Sequence, residues 1–107
     1  MGTFNGIYTD KGINQATGKR YEIVLSLTQA GDTLTGTYVV RGQMGRSLKD
    51  LVLAQVHGSV QDGHAVAEIK NHRLELTFKD ESRQQIWLHS ENGNLFDSVL
   101  KRVSELP

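Results

Sequence analysis

The stretch LSLTQAGDTLTGTY, residues 25–38, decides how the rest of the chain is read. Leu25 and Leu27 alternate with Ser26 and Thr28. The alternation stops at Ala30-Gly31-Asp32 and resumes with Leu34, Gly36 and Tyr38 set against threonines. Period two on both sides of a Gly-containing break is the pattern of a β-hairpin with one buried face. Extending the pattern backwards adds Tyr21 and Ile23 to the inward set, and extending it forwards adds Val40.

The same reading applied outward finds eight short strands: residues 4–9, 20–29, 33–41, 51–60, 64–70, 73–79, 85–90 and 98–103. Asp10 to Gly18 and Gly42 to Ser47 read as polar, glycine-bearing loops. Gln61-Asp62-Gly63, Asn71-His72 and Asn92-Gly93 read as hairpin turns. Two segments carry conflicting signals. Leu48, Leu51, Val52 and Val56 have helical spacing behind Ser47, yet Val56 to Val60 is strand-like and runs into a hairpin turn. Phe96, Val99, Leu100 and Val103 also fit a helix that Asn94 could cap.

A global constraint bears on the second conflict. Sequential antiparallel strands leave two open edges, and closing the sheet removes both. Closure needs a last strand beside the first, so residues 98–103 are expected to be β. The expected fold is all-β, an antiparallel up-and-down eight-stranded barrel. The alternative is a half-open curved sheet with a C-terminal helix packed on it. Such a barrel is just wide enough to be filled by side chains or to hold one small ligand.

The 107 residues suit a single domain, residues 1–107. Twelve basic and twelve acidic side chains balance, and no basic stripe of the kind that neutralises phosphates is present, so no nucleic-acid partner is expected. No cysteine is available for disulfides or thiolate metal sites. The longest apolar run, residues 51–54, is far short of a membrane span. Met1-Gly2 stands almost directly before the first strand: either the chain is complete and cytoplasmic, or a leader has been removed. Composition leaves the compartment open.

Gly6-Ile7-Tyr8 opens the first strand, and Arg102 lies in the last. Thr35-Gly36-Thr37-Tyr38 follows a tight turn, and His57-Gly58-Ser59 and Phe4-x-Gly6-x-Tyr8-Thr9-Asp10 stand in strands. These segments resemble the calycins, the group of lipocalins, fatty-acid-binding proteins and avidins. That group opens with Gly-x-Trp and carries a late Arg that packs on the ring. The resemblance implies a barrel that holds small molecules, with Arg102 packed on Tyr8. The chain departs from the pattern where Tyr8 replaces Trp and where Val40 replaces the ligand-binding Thr of avidins, so biotin is not carried over as the ligand.

Catalytic chemistry has little to stand on. His57, His64, His72 and His89 fall on different strands and turns, without HxH or HExxH spacing. No metal site and no cofactor are expected. No Gly-x-Ser-x-Gly elbow or phosphate-binding loop occurs. Glu68 would be a charge inside the barrel if it faced inward with Val66. Ala65, Ala67 and Ile69 offer an equally apolar opposite face, so Glu68 is expected outside.

Two functional readings remain, with an enzyme using a histidine a distant third. One is a non-enzymatic binding protein holding a small apolar or amphipathic molecule against Tyr21, Leu25, Tyr38, Leu76 and Leu88, with Tyr38 supplying a polar handle. A wet cavity lined by Tyr38, Gln29 or Gln55 would favour it. The other is an assembly module with a packed interior, in which an outward Trp87 meets a protein partner. Zero net charge is compatible with a homo-oligomer.

Overall fold

The computed structural model describes residues 4–90 and 98–105. Eight strands run in chain order: β1 (Gly6–Ile13), β2 (Arg20–Ala30), β3 (Thr33–Met44), β4 (Ser47–Gln61), β5 (His64–Ile69), β6 (His72–Phe78), β7 (Gln85–Ser90) and β8 (Ser98–Ser104). Each pairs antiparallel with the next, and β8 pairs with β1, which closes the barrel. Up-and-down connectivity follows from the turns. Asp62-Gly63 and Lys70-Asn71 both place two successive residues at positive φ, the backbone that matches the twist of a two-residue hairpin. The turn at Asn71 therefore begins one residue earlier than the sequence suggested, and His72 is already in β6.

Two expected loops are shorter than the sequence implied. β1 continues to Ile13, and β3 and β4 leave only Gly45-Arg46 between them, with Gly45 at φ 68°. Glycines 12 and 42 were read as loop residues, but each has the parity of the inward-facing set and lies inside a strand. Residues 42–47, read as a loop, are instead the end of β3, a two-residue turn and the start of β4.

Both conflicting segments are β. Residues 47–61 form one strand, and the helical spacing of Leu48, Leu51, Val52 and Val56 carries no weight against the ladder with β3 that spans its length. Residues 98–104 are held from both sides: Ile86 pairs with Leu100, and Tyr8 pairs with Arg102. A helix here would strand the edges of β1 and β7 together. The hairpin signal Asn92-Gly93 and the cap and apolar residue Asn94 and Phe96 lie outside the described residues.

Alternation sorts the side chains as expected. Leu25, Leu27, Leu34, Tyr38, Val56, Ala65, Ala67, Ile69, Leu74, Leu76, Ile86, Leu88 and Leu100 are buried inside, while Glu68 and Trp87 point out. Gly36 sits where β3 crosses closest to β2: a Cβ there would lie 1.9 Å from the Ser26 carbonyl oxygen, so the two backbones approach as no larger residue allows.

The end of the barrel that holds the N-terminal segment is plugged. Phe4 stacks on Phe78 with ring centroids 4.5 Å apart. Tyr8 Oη donates to the Phe4 carbonyl at 2.8 Å and accepts from Arg102 Nη2 at 2.7 Å. The Arg102 guanidinium lies 5.2 Å from the centroid of the Tyr8 ring and 5.8 Å from that of Phe78. Its Nη1 is 3.6 Å from Glu105 Oε1. A buried cation is tolerable because rings, a phenol oxygen and a carboxylate surround it.

Two substitutions test this account. Gly36→Ala should lower unfolding stability by roughly 1–3 kcal/mol through forced displacement of β2, read as a shifted urea midpoint at unchanged slope. Tyr8→Phe removes one acceptor of Arg102 and one donor to Phe4, and should cost about 1–3 kcal/mol. A melting temperature equal to that of the parent protein would show that the clasp contributes nothing.

Candidate functional site

At the opposite end the described strands differ in length, and the described residues leave the interior uncovered. β5, β6, β7 and β8 have six or seven residues each, whereas β2, β3 and β4 have eleven, twelve and fifteen. β8 pairs with β1 only as far as Thr9, and β5 pairs with β4 only from Val56 onward. Residues 10–13, 20–23, 40–44 and 47–55 therefore project as a four-stranded apron past the rest of the wall. The inner face of the apron continues the barrel interior without a described strand opposite it.

Along that face the register sets inner side chains in rows. Tyr8, Leu25, Tyr38 and Ala54 form one, and Asp10, Ile23, Val40 and Val52 form the next. The first row is buried. The second is only half-buried, although three of its members are branched apolar residues. A third row is Gly12, Tyr21 and Gly42. The two glycines make room for their neighbours. A Cβ on Gly12 would meet the Tyr21 ring at 3.3–3.5 Å, and one on Gly42 would meet Leu51 Cδ1 at 2.6 Å. The ladder slips between Val40 and Arg41, so Leu51 is an extra residue in β4. This bulge turns Leu51 over Gly42 to the inner side, where alternation from the outward Asp50 places it but alternation from the outward Leu53 would not.

Tyr21 Oη donates to Asp10 Oδ2 at 3.4 Å, setting one polar pair at the lip. Burial raises the Tyr21 hydroxyl pKa, and the Asp10 carboxylate and its hydrogen bond add to the rise. Tyr38, deeper, is pushed up to about 12 by burial. Tyr8 is raised by burial despite the opposing pull of Arg102. On the outer face Arg41 bridges its two register neighbours, Glu22 at 3.0 Å and Asp50 at 2.8 Å, and so ties β2, β3 and β4 where no other wall supports them. Such exposed pairs contribute modestly.

A cleft of about 360 Å³ is lined by Tyr21, Val40, Gly42, Met44 and Leu51, with Asn14, Thr17 and Lys19 at its edge. A second, of about 380 Å³, touches Tyr21 from the side of Lys11, Ile13 and Leu48. Neither reaches Leu25, Tyr38, Leu76 or Leu88.

The sequence-selected residues thus divide by depth. Tyr21 stands at the lip, half-buried. Tyr38 lies one row below Val40. Leu25, Leu76 and Leu88 are fully buried and form the floor. Gln29 and Gln55 do not join them. Gln29 accepts from the Phe4 amide at the plugged end, and Gln55 is exposed on the outer wall. Gly12, Gly42 and Leu51 were missed as site residues. The parity of the glycines with Tyr8 and Tyr38 is a sequence signal for them; the bulge that aims Leu51 has none.

Trp87 is about half exposed at 48%, opposite Val99 of β8, with its ring 5.6 Å from that of His89. The four histidines fall on β4, β5, β6 and β7, and no group of three or more metal-ligating side chains gathers among the described residues. Among the described residues no helix is long and apolar enough to cross a membrane.

The molecule is therefore a closed, eight-stranded, up-and-down antiparallel barrel, plugged at one end and, among the described residues, uncovered beneath an apron at the other. Compared with known proteins, the chain shows no significant match to a family model, a curated protein or a solved structure.

The three shielded phenols predict an alkaline response. A folded pKa above the ordinary 10 favours the native state fully below pH 10, and that contribution is lost as pH rises from 10 through the folded value, about 12 for Tyr38. Ultraviolet titration at the phenolate band should show most tyrosine absorbance changing above pH 10, with the melting temperature falling over pH 10–12. Complete phenolate formation by pH 10 in the folded protein would contradict the burial of Tyr38.

Proposed function

We propose that this protein is a non-enzymatic binding protein that holds a small apolar or amphipathic molecule at the open end of its barrel. One observation carries the reading: Ile23, Val40 and Val52 form an apolar row that closure leaves half-buried, directly above the buried Tyr38. Branched apolar side chains left half-wet on a concave face lose free energy that an apolar guest would recover. The guest would lie on that row, with Tyr38 and the floor of Leu25, Leu76 and Leu88 beneath it and Tyr21 at the lip. Asp10 and the Tyr21 hydroxyl give an amphipathic guest a place for its polar end.

The clasp of Arg102 on Tyr8, after Gly6, is the arrangement that the calycin resemblance implied, and it supports placing the chain among calycin-like barrels that carry small ligands. The second reading, an assembly module, draws on the outer wall, where Trp87, Val99 and Val103 are all exposed. A protein partner would cover that strip and the interior would serve only as core.

A thermal-shift screen against chemically diverse apolar and amphipathic compounds tests the first reading. A ligand at a hundredfold excess over its Kd should stabilise the native state by about 2.7 kcal/mol. Val40→Trp should fill the mouth and abolish the shift while leaving the far-ultraviolet circular dichroism unchanged. A flat response across the library would remove this reading in favour of the outer strip.

A further inference from the structure

The zero net charge of the chain conceals a separation of charge along the barrel. Residues 10–23 and 40–55, which hold the apron, carry six cations, Lys11, Lys19, Arg20, Arg41, Arg46 and Lys49. Against them stand three carboxylates. Arg41 engages both Glu22 and Asp50, and Asp10 accepts from Tyr21. Among the described residues no other ion pair forms on the apron, so five exposed cations remain there without a carboxylate partner. At the plugged end the balance reverses, with Asp32, Asp62, Asp80, Glu81 and Glu105 against Lys79, Arg83 and Arg102.

Apolar exposure follows the same polarity. Seven large apolar side chains stand exposed among the described residues. Trp87, Val99 and Val103 belong to the outer strip, and the other four, Ile13, Met44, Leu51 and Leu53, all lie on the apron. Three of those four are close to its tip, the Gly45-Arg46 turn. Met44 pairs with Ser47 in the last row, Ile13 shares the next row with Arg20, Gln43 and Leu48, and Leu51 lies over Gly42 in the third. At about 3.4 Å per residue these rows fall within about 10 Å of the turn. Parity sends Ile13 and Leu48 to the outer face and Met44 to the inner face beside Leu51. Each face has its own cleft. The outer one is lined by Ile13 and Leu48 with Lys11 and Arg20, and the inner one by Met44 and Leu51 with Lys19 and Arg20.

We infer that the apron tip docks on an anionic lipid surface, with the turn of β3 and β4 entering the interface and the surrounding cations meeting the headgroups. A protein partner covers one face of a sheet, whereas this tip presents apolar side chains on both faces and is satisfied only by a medium that surrounds it. Nucleic acid would meet the cations and leave the apolar residues wet. The boundary between headgroups and acyl chains offers both environments, over a depth of roughly 5–10 Å. Basic residues at an anionic leaflet add to the attraction and set the orientation, here with the acidic plugged end away from the lipid. Docking is independent of whether the mouth holds a ligand.

Flotation with vesicles of phosphatidylcholine alone, and of equimolar phosphatidylcholine and phosphatidylserine, tests the inference. The protein should float with the mixed vesicles, not with the neutral ones, and should be released near 1 M salt, where the screening length falls to about 3 Å. Arg46→Glu with Lys49→Glu should weaken binding by about tenfold or more. Ile13→Ser with Met44→Ser should weaken it by about tenfold. All four side chains are exposed, so the melting temperature should hold in both variants. Absence of cysteine allows a polarity-sensitive dye at a single engineered site. The dye should shift to the blue on mixed vesicles at Met44→Cys and stay unchanged at Glu81→Cys. Failure to float with mixed vesicles overturns the inference, as does equal flotation with neutral ones. So does a shift at residue 81 as large as that at residue 44. Retention on heparin that the charge variant abolishes and the serine variant keeps, without flotation, would assign the tip to a soluble polyanion instead.

Discussion

The pairing of β8 with β1 is the constraint on which the rest depends. It is a short ladder, three register pairs from Ile7 to Thr9, with a slip after Ile7. The slip falls beside Gly6, whose φ is 145° and where a Cβ would lie 2.5 Å from the Ser104 carbonyl oxygen, so no side chain is admitted. What the ladder lacks in length the Arg102 clasp supplies. One guanidinium touches β1 through Tyr8 and β6 through Phe78, and a backbone amide of the same residue reaches the Gln84 carbonyl before β7. Closure and the plug at that end are thus one structure, and beyond Thr9 the edge of β1 away from β2 has no strand partner among the described residues.

The open end follows from that limit. β2 to β4 are long and β5 to β8 are short, so the wall is high on one side and low on the other. A row of apolar residues that a taller barrel would bury is left half-covered on the high side. Room for larger side chains on this face comes from Gly12 and Gly42, and the bulge at Leu51 adds an apolar side chain that strict pairing would have divided differently between the faces. The ion pairs of Arg41 brace the same strands from outside. A concave apolar face, a polar pair at its lip and a floor of buried leucines are what the proposed binding mouth would use, and they arise here from unequal strand lengths.

Strand alternation made most of the fold legible. The face carrying Tyr21, Ile23, Leu25, Leu27, Leu34, Tyr38 and Val40 was readable from one hairpin, and the outward position of Glu68 was expected, whereas parity set Trp87 only opposite to Ile86 and Leu88 and the structure put it outside. Tyr38 and the three leucines were legible as inward residues, but their depth was not. A period-two pattern reports which face a residue occupies and says nothing of how far along the barrel it lies. The ends of β1, β3 and β4 were misjudged because Gly12, Gly42 and Gly45 look alike in sequence. Only Gly45 makes a turn; the other two clear space for Tyr21 and Leu51.

By itself the sequence determined the strands, their facing and their sequential pairing, because side-chain alternation and two-residue turns are local properties. The β structure of residues 47–55 and 98–104 was decided by tertiary structure, since each segment carries a helical spacing that local preference would not reject. What overrode it was hydrogen bonding to strands distant in sequence: β3 along residues 47–55, and β1 and β7 along β8. The same long-range pairing fixed where closure stops, and therefore which apolar residues stay half-covered and which backbone edges lack a partner among the described strands.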